Sequence, residues 1–222
     1  MDKNEFSSLM GECFKLSETY PDIVYIGGIA VYMHCVNTNE QLVSQLAEFT
    51  HDGDFYISIP SMSDLRDAEE VVQNSRLSKH QIKKKGFEFD IYTEHHSSLI
   101  APYSDVAANA VAYNGFRVAS LPHLLALKLE AFLDRQGSSK GEKDAKDVIR
   151  IALCARHLGF DAGIYCRYST QDHLNLLEKV LKGPYSIELA MGNHHQAKKI
   201  RESVSFLVEA ISNHENSLSP KY

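Results

Sequence analysis

Apolar residues at Phe6, Leu9, Met10, Cys13 and Phe14 recur at helical spacing, so the first 18 residues or so read as an amphipathic helix. Pro21 breaks the pattern. The β-branched run from Ile23 to Ile26 then reads as a short buried strand. Gly27 and Gly28 follow it, and residues 29–35 have helix character, which gives the order strand, Gly-Gly, helix. Residues 37–48 are more polar and fit a loop with a short helix. Phe55, Ile57 and Ile59 alternate with other positions, which predicts a strand over 54–59 that Pro60 ends. A helix is expected over 63–73 with Ser63 as its N-cap. Strands near 80–83 and 87–93 flank Lys84-Lys85-Gly86. Asn114-Gly115, between short apolar runs, is a two-residue hairpin signal, because both turn positions want positive φ.

From Ser120 onward the periodicity is helical throughout. Ser120 is a good N-cap and Pro122 suits a first turn, giving a helix over 121–135. A polar loop at 136–141 precedes a helix over 142–158 that Gly159 stops. Further helical stretches cover about 170–182 and 194–214. The chain is therefore expected to be α+β, with an α/β N-terminal domain (1–119) and a helical C-terminal domain (120–222).

Composition narrows the class. Of the 222 residues, 44% are hydrophobic and 23% charged, the make-up of an ordinary soluble globular protein with a sizeable core. No apolar run reaches the roughly 18 to 20 residues of a membrane helix. Asp2 and Glu5 leave no apolar signal-peptide segment at the start, so a cytoplasmic protein is expected, without a membrane partner. The 23 Lys and Arg against 29 Asp and Glu give a net charge of −6. That argues against a chain coating itself in nucleic acid, while leaving a local basic groove open. Cys13, Cys35, Cys154 and Cys166 form no close CxxC pair and read as thiols in a reducing compartment.

Candidate chemistry starts at Thr50-His51-Asp52-Gly53-Asp54. Aspartates at i and i+2 of a strand point to one face. Mg²⁺ usually takes one or two carboxylates plus substrate phosphates, and two close like charges are costly without a cation. The plain alternative is a pair of solvated aspartates beside a turn glycine. Gly27-Gly28 lets backbone N–H groups approach a phosphate at a helix N-terminus, and equally suits a tight turn. Asp90 puts a third acid inside an apolar strand, with Glu88 on its face. Leu121, Leu124, Leu125, Lys128 and Phe132 share one helical stripe, so Lys128 calls for an anionic partner or a bound anion, unless its stem snorkels out to water at a domain seam. Asp144 and Asp147 are neighbours on their helix, flanked by Lys143 and Lys146. His51 adjoins the aspartates. Successive histidines on a strand point apart, so His95-His96 is not a ligand pair, and His194-His195 simply starts a helix. Lys83-Lys84-Lys85 fits a solvated turn or a phosphate-backbone contact, and Lys198, Lys199 and Arg201 form a similar patch.

Strand, Gly-Gly, helix, then T-x-D-x-D on a second strand and a later strand aspartate, resembles the nucleotidyltransferase fold of the DNA polymerase β superfamily. Lys128, Ala131, Arg135, Lys143-Asp144 and Asp147 read as K-x-x-A-x-x-x-R, a loop, then K-D-x-x-D. This resembles the AbiEii-type toxin nucleotidyltransferases of bacterial toxin–antitoxin and abortive-infection systems, over residues 22–158. The resemblance implies a mixed sheet with flanking helices followed by a helical bundle. It implies that Gly27 and Gly28 hold an NTP, that Asp52 and Asp54 ligate Mg²⁺ (or Mn²⁺), and that Asp90 shares a metal or deprotonates the acceptor. Lys128, Arg135 and Lys143 would bind phosphates, and Asp144 and Asp147 would complete the second motif. The implied reaction moves NMP to an acceptor hydroxyl, of tRNA or another RNA or of a protein, and a cognate antitoxin is an implied partner. Three departures stand out: Ile29 follows the glycines, residues 37–48 look inserted, and Gly53 separates the aspartates. Two alternatives stay open, an aminoglycoside-type small-molecule nucleotidyltransferase and a degenerate, non-catalytic nucleotide- or partner-binding protein.

Overall fold

The computed structural model describes residues 1–74 and 79–218. The chain forms two compact units, residues 1–33 with 48–120, and residues 34–47 with the chain from Leu121 onward. Residues 34–47 group with the helical unit.

The first unit carries one seven-stranded mixed sheet. Its strands are β1 (Val24–Ile26), β2 (Asp52–Tyr56), β3 (Val72–Asn74), β4 (Lys79–Lys84), β5 (Phe87–Tyr92), β6 (Val111–Tyr113) and β7 (Phe116–Val118), in the spatial order β3-β4-β5-β2-β1-β7-β6. β2 runs parallel to β5 and antiparallel to β1, and β1 runs parallel to β7. Two hairpins turn on residues with positive φ: Lys85-Gly86 between β4 and β5, and Asn114 (47°) with Gly115 (87°) between β6 and β7. The second is the turn expected from the Asn-Gly pair.

Helix α1 (Lys3–Thr19) starts with a capping box: the Asp2 carboxylate accepts from the Asn4 and Glu5 N–H groups, and Glu5 accepts from the Asp2 N–H. Its buried stripe is Phe6, Leu9, Cys13 and Leu16, while Phe14 is 41% exposed, so the inward face is rotated from the expected one. Helix α2 (Gly27–Val36) follows β1 without a linker.

The stretch after β2 departs from its expected structure. The strand stops at Tyr56, and α4 (Ile59–Ala68) begins where the strand was expected to end. Ser58, not Ser63, is the N-cap: its hydroxyl accepts from the Ser61 N–H at 3.3 Å. Pro60 sits in the first turn, where its missing N–H costs nothing. The expected end of that helix is instead β3, and the short α5 (Tyr103–Ala108) was not anticipated.

In the second unit α6 (Leu121–Arg135) packs on α7 (Ser139–Leu158), with α3 (Gln41–Gln45), α8 (Ala162–Cys166), α9 (Gln171–Lys182), α10 (Tyr185–Leu189) and α11 (His194–Leu218) around them. α7 starts earlier than expected because the Ser138 hydroxyl caps it. α11 buries Ala197, Ile200, Val204, Leu207 and Ile211, a stripe at helical spacing. Cys35 and Cys154 are buried with their Sγ atoms 3.7 Å apart, and all four cysteines are free thiols.

Candidate active site

In the first unit the site is built on the edge where β1 passes into α2. The β1–β2 register pairs Ile26 with Asp54, so the next residue, Gly27, lies against the Asp54 carboxylate. Gly27 has φ +62°, and a Cβ there would collide with that carboxylate. A Cβ on Gly28 would lie 2.8 Å from the Thr50 side chain. Only glycines fit both places, because the Asp54 and Thr50 side chains occupy the space that Cβ atoms would take beside the first turn of α2.

Asp52 and Asp54 share one face of β2, with Asp52 exposed and Asp54 half-buried. The buried Thr50 donates from Oγ1 to Asp52 Oδ1 at 2.8 Å and fixes that carboxylate. Gly53 points to the opposite, packed face, where a Cβ would lie 2.5 Å from the Phe89 ring and 3.5 Å from Ile29. Phe89, fully buried, fills the space that an apolar residue between the aspartates would take, and Ile29 lies at ordinary contact distance.

The parallel β2–β5 register sets Asp54 beside Asp90 and Asp52 beside Glu88. Asp90 is already engaged: Gln81 Nε2 donates to its Oδ1 at 2.7 Å, and Lys79 forms an ion pair with its Oδ2. Glu88 is paired with Lys83 at 2.8 Å. Among the described residues no group of three or more His, Cys, Asp or Glu is close enough to hold a metal ion. Two carboxylates on one strand face, with a glycine cradle beside them, fit a hard divalent cation that takes its remaining ligands from a nucleotide and water. His51 is exposed at this edge.

The second unit brings together the other predicted residues. Lys128, 8% exposed, sits 2.6 Å from Asp147 Oδ2 and 3.3 Å from Asp144 Oδ1. Arg135 reaches Asp144 Oδ2 at 2.8 Å, and Arg150 reaches Asp147 Oδ1 at 2.8 Å. Arg150 also donates from Nε to the Leu46 carbonyl at 2.7 Å. Burial alone would raise the Asp147 carboxyl, but the charges of Lys128 and Arg150 outweigh it and hold the group below the usual range. Lys128 thus meets its need for an anion inside the protein. Lys143 is half-buried and makes no ion pair among the described residues. Arg150 escaped the sequence reading. Its signal is an arginine one turn beyond Asp147 in an otherwise apolar helical run.

A second buried polar group lies in the sheet unit. Arg66 Nη2 is 2.6 Å from His80 Nε2, and the His96 ring lies tilted against that of His80 with centroids 4.4 Å apart. Burial, then the nearby His96 and Arg66, lower His80 to a pKa of about 4.

The mixed sheet followed by a helical unit is the fold of nucleotidyltransferase-like proteins. The chain is similar over its whole length to a Helicobacter pylori protein that is itself a proposed nucleotidyltransferase, with a TM-score of 0.53, 14% identity and 100% of both chains covered. It is likewise similar to JHP933 from Helicobacter pylori, with a TM-score of 0.54, 15% identity, and 98% and 97% of the two chains covered. No protein-family model matches the sequence, and no curated protein matches it. Among the described residues no helix is long and apolar enough to cross a membrane.

Proposed function

We propose that the chain is a metal-dependent nucleotidyltransferase that moves NMP from an NTP to an acceptor hydroxyl. The observation that carries this reading is the placement of Asp52 and Asp54 on one face of β2, with the Asp54 carboxylate seated where a Gly27 Cβ would be, beside the start of α2. The fold shared with nucleotidyltransferase-like proteins supports it as analogy.

Each residue then has a task. Asp52 and Asp54 hold Mg²⁺ or Mn²⁺, with Thr50 orienting Asp52. When bound, the ion supplies charge stabilisation for the transferring phosphoryl group. Gly27 and Gly28 let the phosphates approach the α2 N-terminus. The acceptor oxygen forms its bond to the α-phosphorus, the α–β bridge bond breaks, and pyrophosphate leaves with that electron pair. The acceptor's proton passes to water. In the helical unit Asp144 and Asp147 hold Lys128 in place. An RNA acceptor, as the AbiEii-type resemblance implies, is the finer form of this reading, with a toxin role and a cognate antitoxin attached to it.

The test is label transfer. Protein is incubated with Mg²⁺, each of the four α-labelled NTPs and total cellular RNA, with an Asp52→Ala/Asp54→Ala variant alongside. Label in RNA that needs both aspartates supports the reading and names the NTP. Label in neither RNA nor the protein itself, followed by none in small-molecule acceptors, defeats it.

A further inference from the structure

We infer that Lys79 is a built-in cation of this site, occupying the electrostatic place of a second divalent ion, so that the chain binds one divalent ion with its nucleotide rather than two. The inference rests on the reading of Asp52 and Asp54 as the metal-binding pair.

Three strands set the geometry. The β4–β5 register places Gln81 opposite Asp90, and the β2–β5 register places Asp90 beside Asp54. Gln81, Asp90 and Asp54 therefore form one row across the sheet. Lys79 lies two residues before Gln81 and so shares its face of β4. From there it reaches Asp90 Oδ2, while Gln81 Nε2 holds Oδ1 at 2.7 Å. Both oxygens of the third carboxylate thus have a donor supplied by the chain. The pair is mostly shielded from water, with side chains 13% exposed for Lys79 and 20% for Asp90. In such surroundings an ammonium in contact with a carboxylate is screened far less than a surface pair.

On the protein side, Asp52, Asp54 and Asp90 carry −3 when ionised, and Lys79 lowers that to −2, the charge that one divalent ion matches before the nucleotide is added. A second divalent ion at Asp90 would approach a fixed ammonium at ion-pair range and compete with it for the same oxygen. The neighbouring row repeats the device: Lys83 pairs with Glu88, whose register partner is Asp52. Of the two lysines Lys79 is the shielded one, since Lys83 is 75% exposed.

The deciding measurement is a count of bound Mn²⁺ by electron paramagnetic resonance. It uses the full chain saturated with an NTP analogue whose α–β bridge cannot be cleaved. One Mn²⁺ per wild-type chain is expected, two for Lys79→Met, and one for Lys79→Arg, which keeps the charge. Thermal melts establish that the variants are folded. Two Mn²⁺ per wild-type chain would overturn the inference even if Lys79→Met failed to fold, and would leave the transferase reading intact. A folded Lys79→Met that still binds one also overturns it. No Mn²⁺ on the wild type would instead remove the Asp52–Asp54 metal site on which the inference rests.

Discussion

Single residues carry the sharpest consequences. Gly27 is fixed by its φ of +62° and by the Asp54 carboxylate behind it. Gly27→Ala is expected to destabilise the protein by about 1–3 kcal/mol, through a strained left-handed backbone, and to weaken Mn²⁺ binding by displacing Asp54. Chemical denaturation and Mn²⁺ titration check this, and an unchanged variant would remove the cradle from the argument. His80 gives a pH dependence. Its pKa is about 4 in the fold against 6.5 as a free side chain. Between those values the unfolded chain binds a proton that the folded chain refuses, so stability falls as pH drops from about 6.5 to about 4 and levels off below that. His80→Gln should remove that part of the slope, on the order of 2 kcal/mol after allowing for relaxation around the ring. The readout is the unfolding free energy of both proteins across that pH range.

At the level of elements, the α6–α7 pair is locked by ions rather than by apolar packing alone. Lys128 on α6 bridges Asp144 and Asp147 on α7, and Arg150 fastens α7 to the Leu46 carbonyl at the end of α3. Removing one partner of a buried set leaves the others uncompensated, so Lys128→Met should cost about 3–5 kcal/mol. A double-mutant cycle with Asp147→Asn should show coupling above about 1 kcal/mol, and additivity there would show that the contact is incidental. Asp147 is held below its ordinary pKa of 3.8, so its contribution is present above that value and lost as pH falls through the lower folded one. The α4 boundary shows how local signals compete. Ile59 extends an alternation that reads as strand, yet the Ser58 cap and Pro60 in the first turn start a helix there. Ser58→Ala should therefore destabilise by about 1 kcal/mol in thermal or chemical unfolding, whereas Ser63→Ala should not lose a cap.

Across the whole molecule, the net charge of −6 is distributed so that acids meet cations within each unit: Asp90 with Lys79, Glu88 with Lys83, Asp144 with Arg135 and Lys128. An NTP brings further negative charge to a negative protein. Its binding is expected to weaken more than tenfold, about 1.4 kcal/mol, when EDTA removes divalent ions. Calorimetry with and without EDTA measures this, and equal affinities would argue that Asp52 and Asp54 hold no ion.

Much of this was written locally. The order of strand, Gly-Gly, helix and the Asn114-Gly115 turn depend on neighbours in sequence, where glycine or asparagine permits a backbone that other residues resist. The α+β plan and the stripes of α6 and α7 follow from periodicity, which needs no partner to be read. The placement of Asp52 and Asp54 on one face needed only the two-residue repeat of a strand. The strand order decided the rest. Asp90 stands beside Asp54 because β5 inserts next to β2, and Lys79 and Gln81 reach it because β4 folds back on β5. Residues 37–48 looked like an insertion by spacing, and Leu46 among them accepts from Arg150, 104 residues away. Lys128 was legible as a lysine in need of an anion. That Asp144, Asp147 and Arg150 answer it was set by the packing of two helices, because the energy of a buried ion pair depends on distance in space and not along the chain.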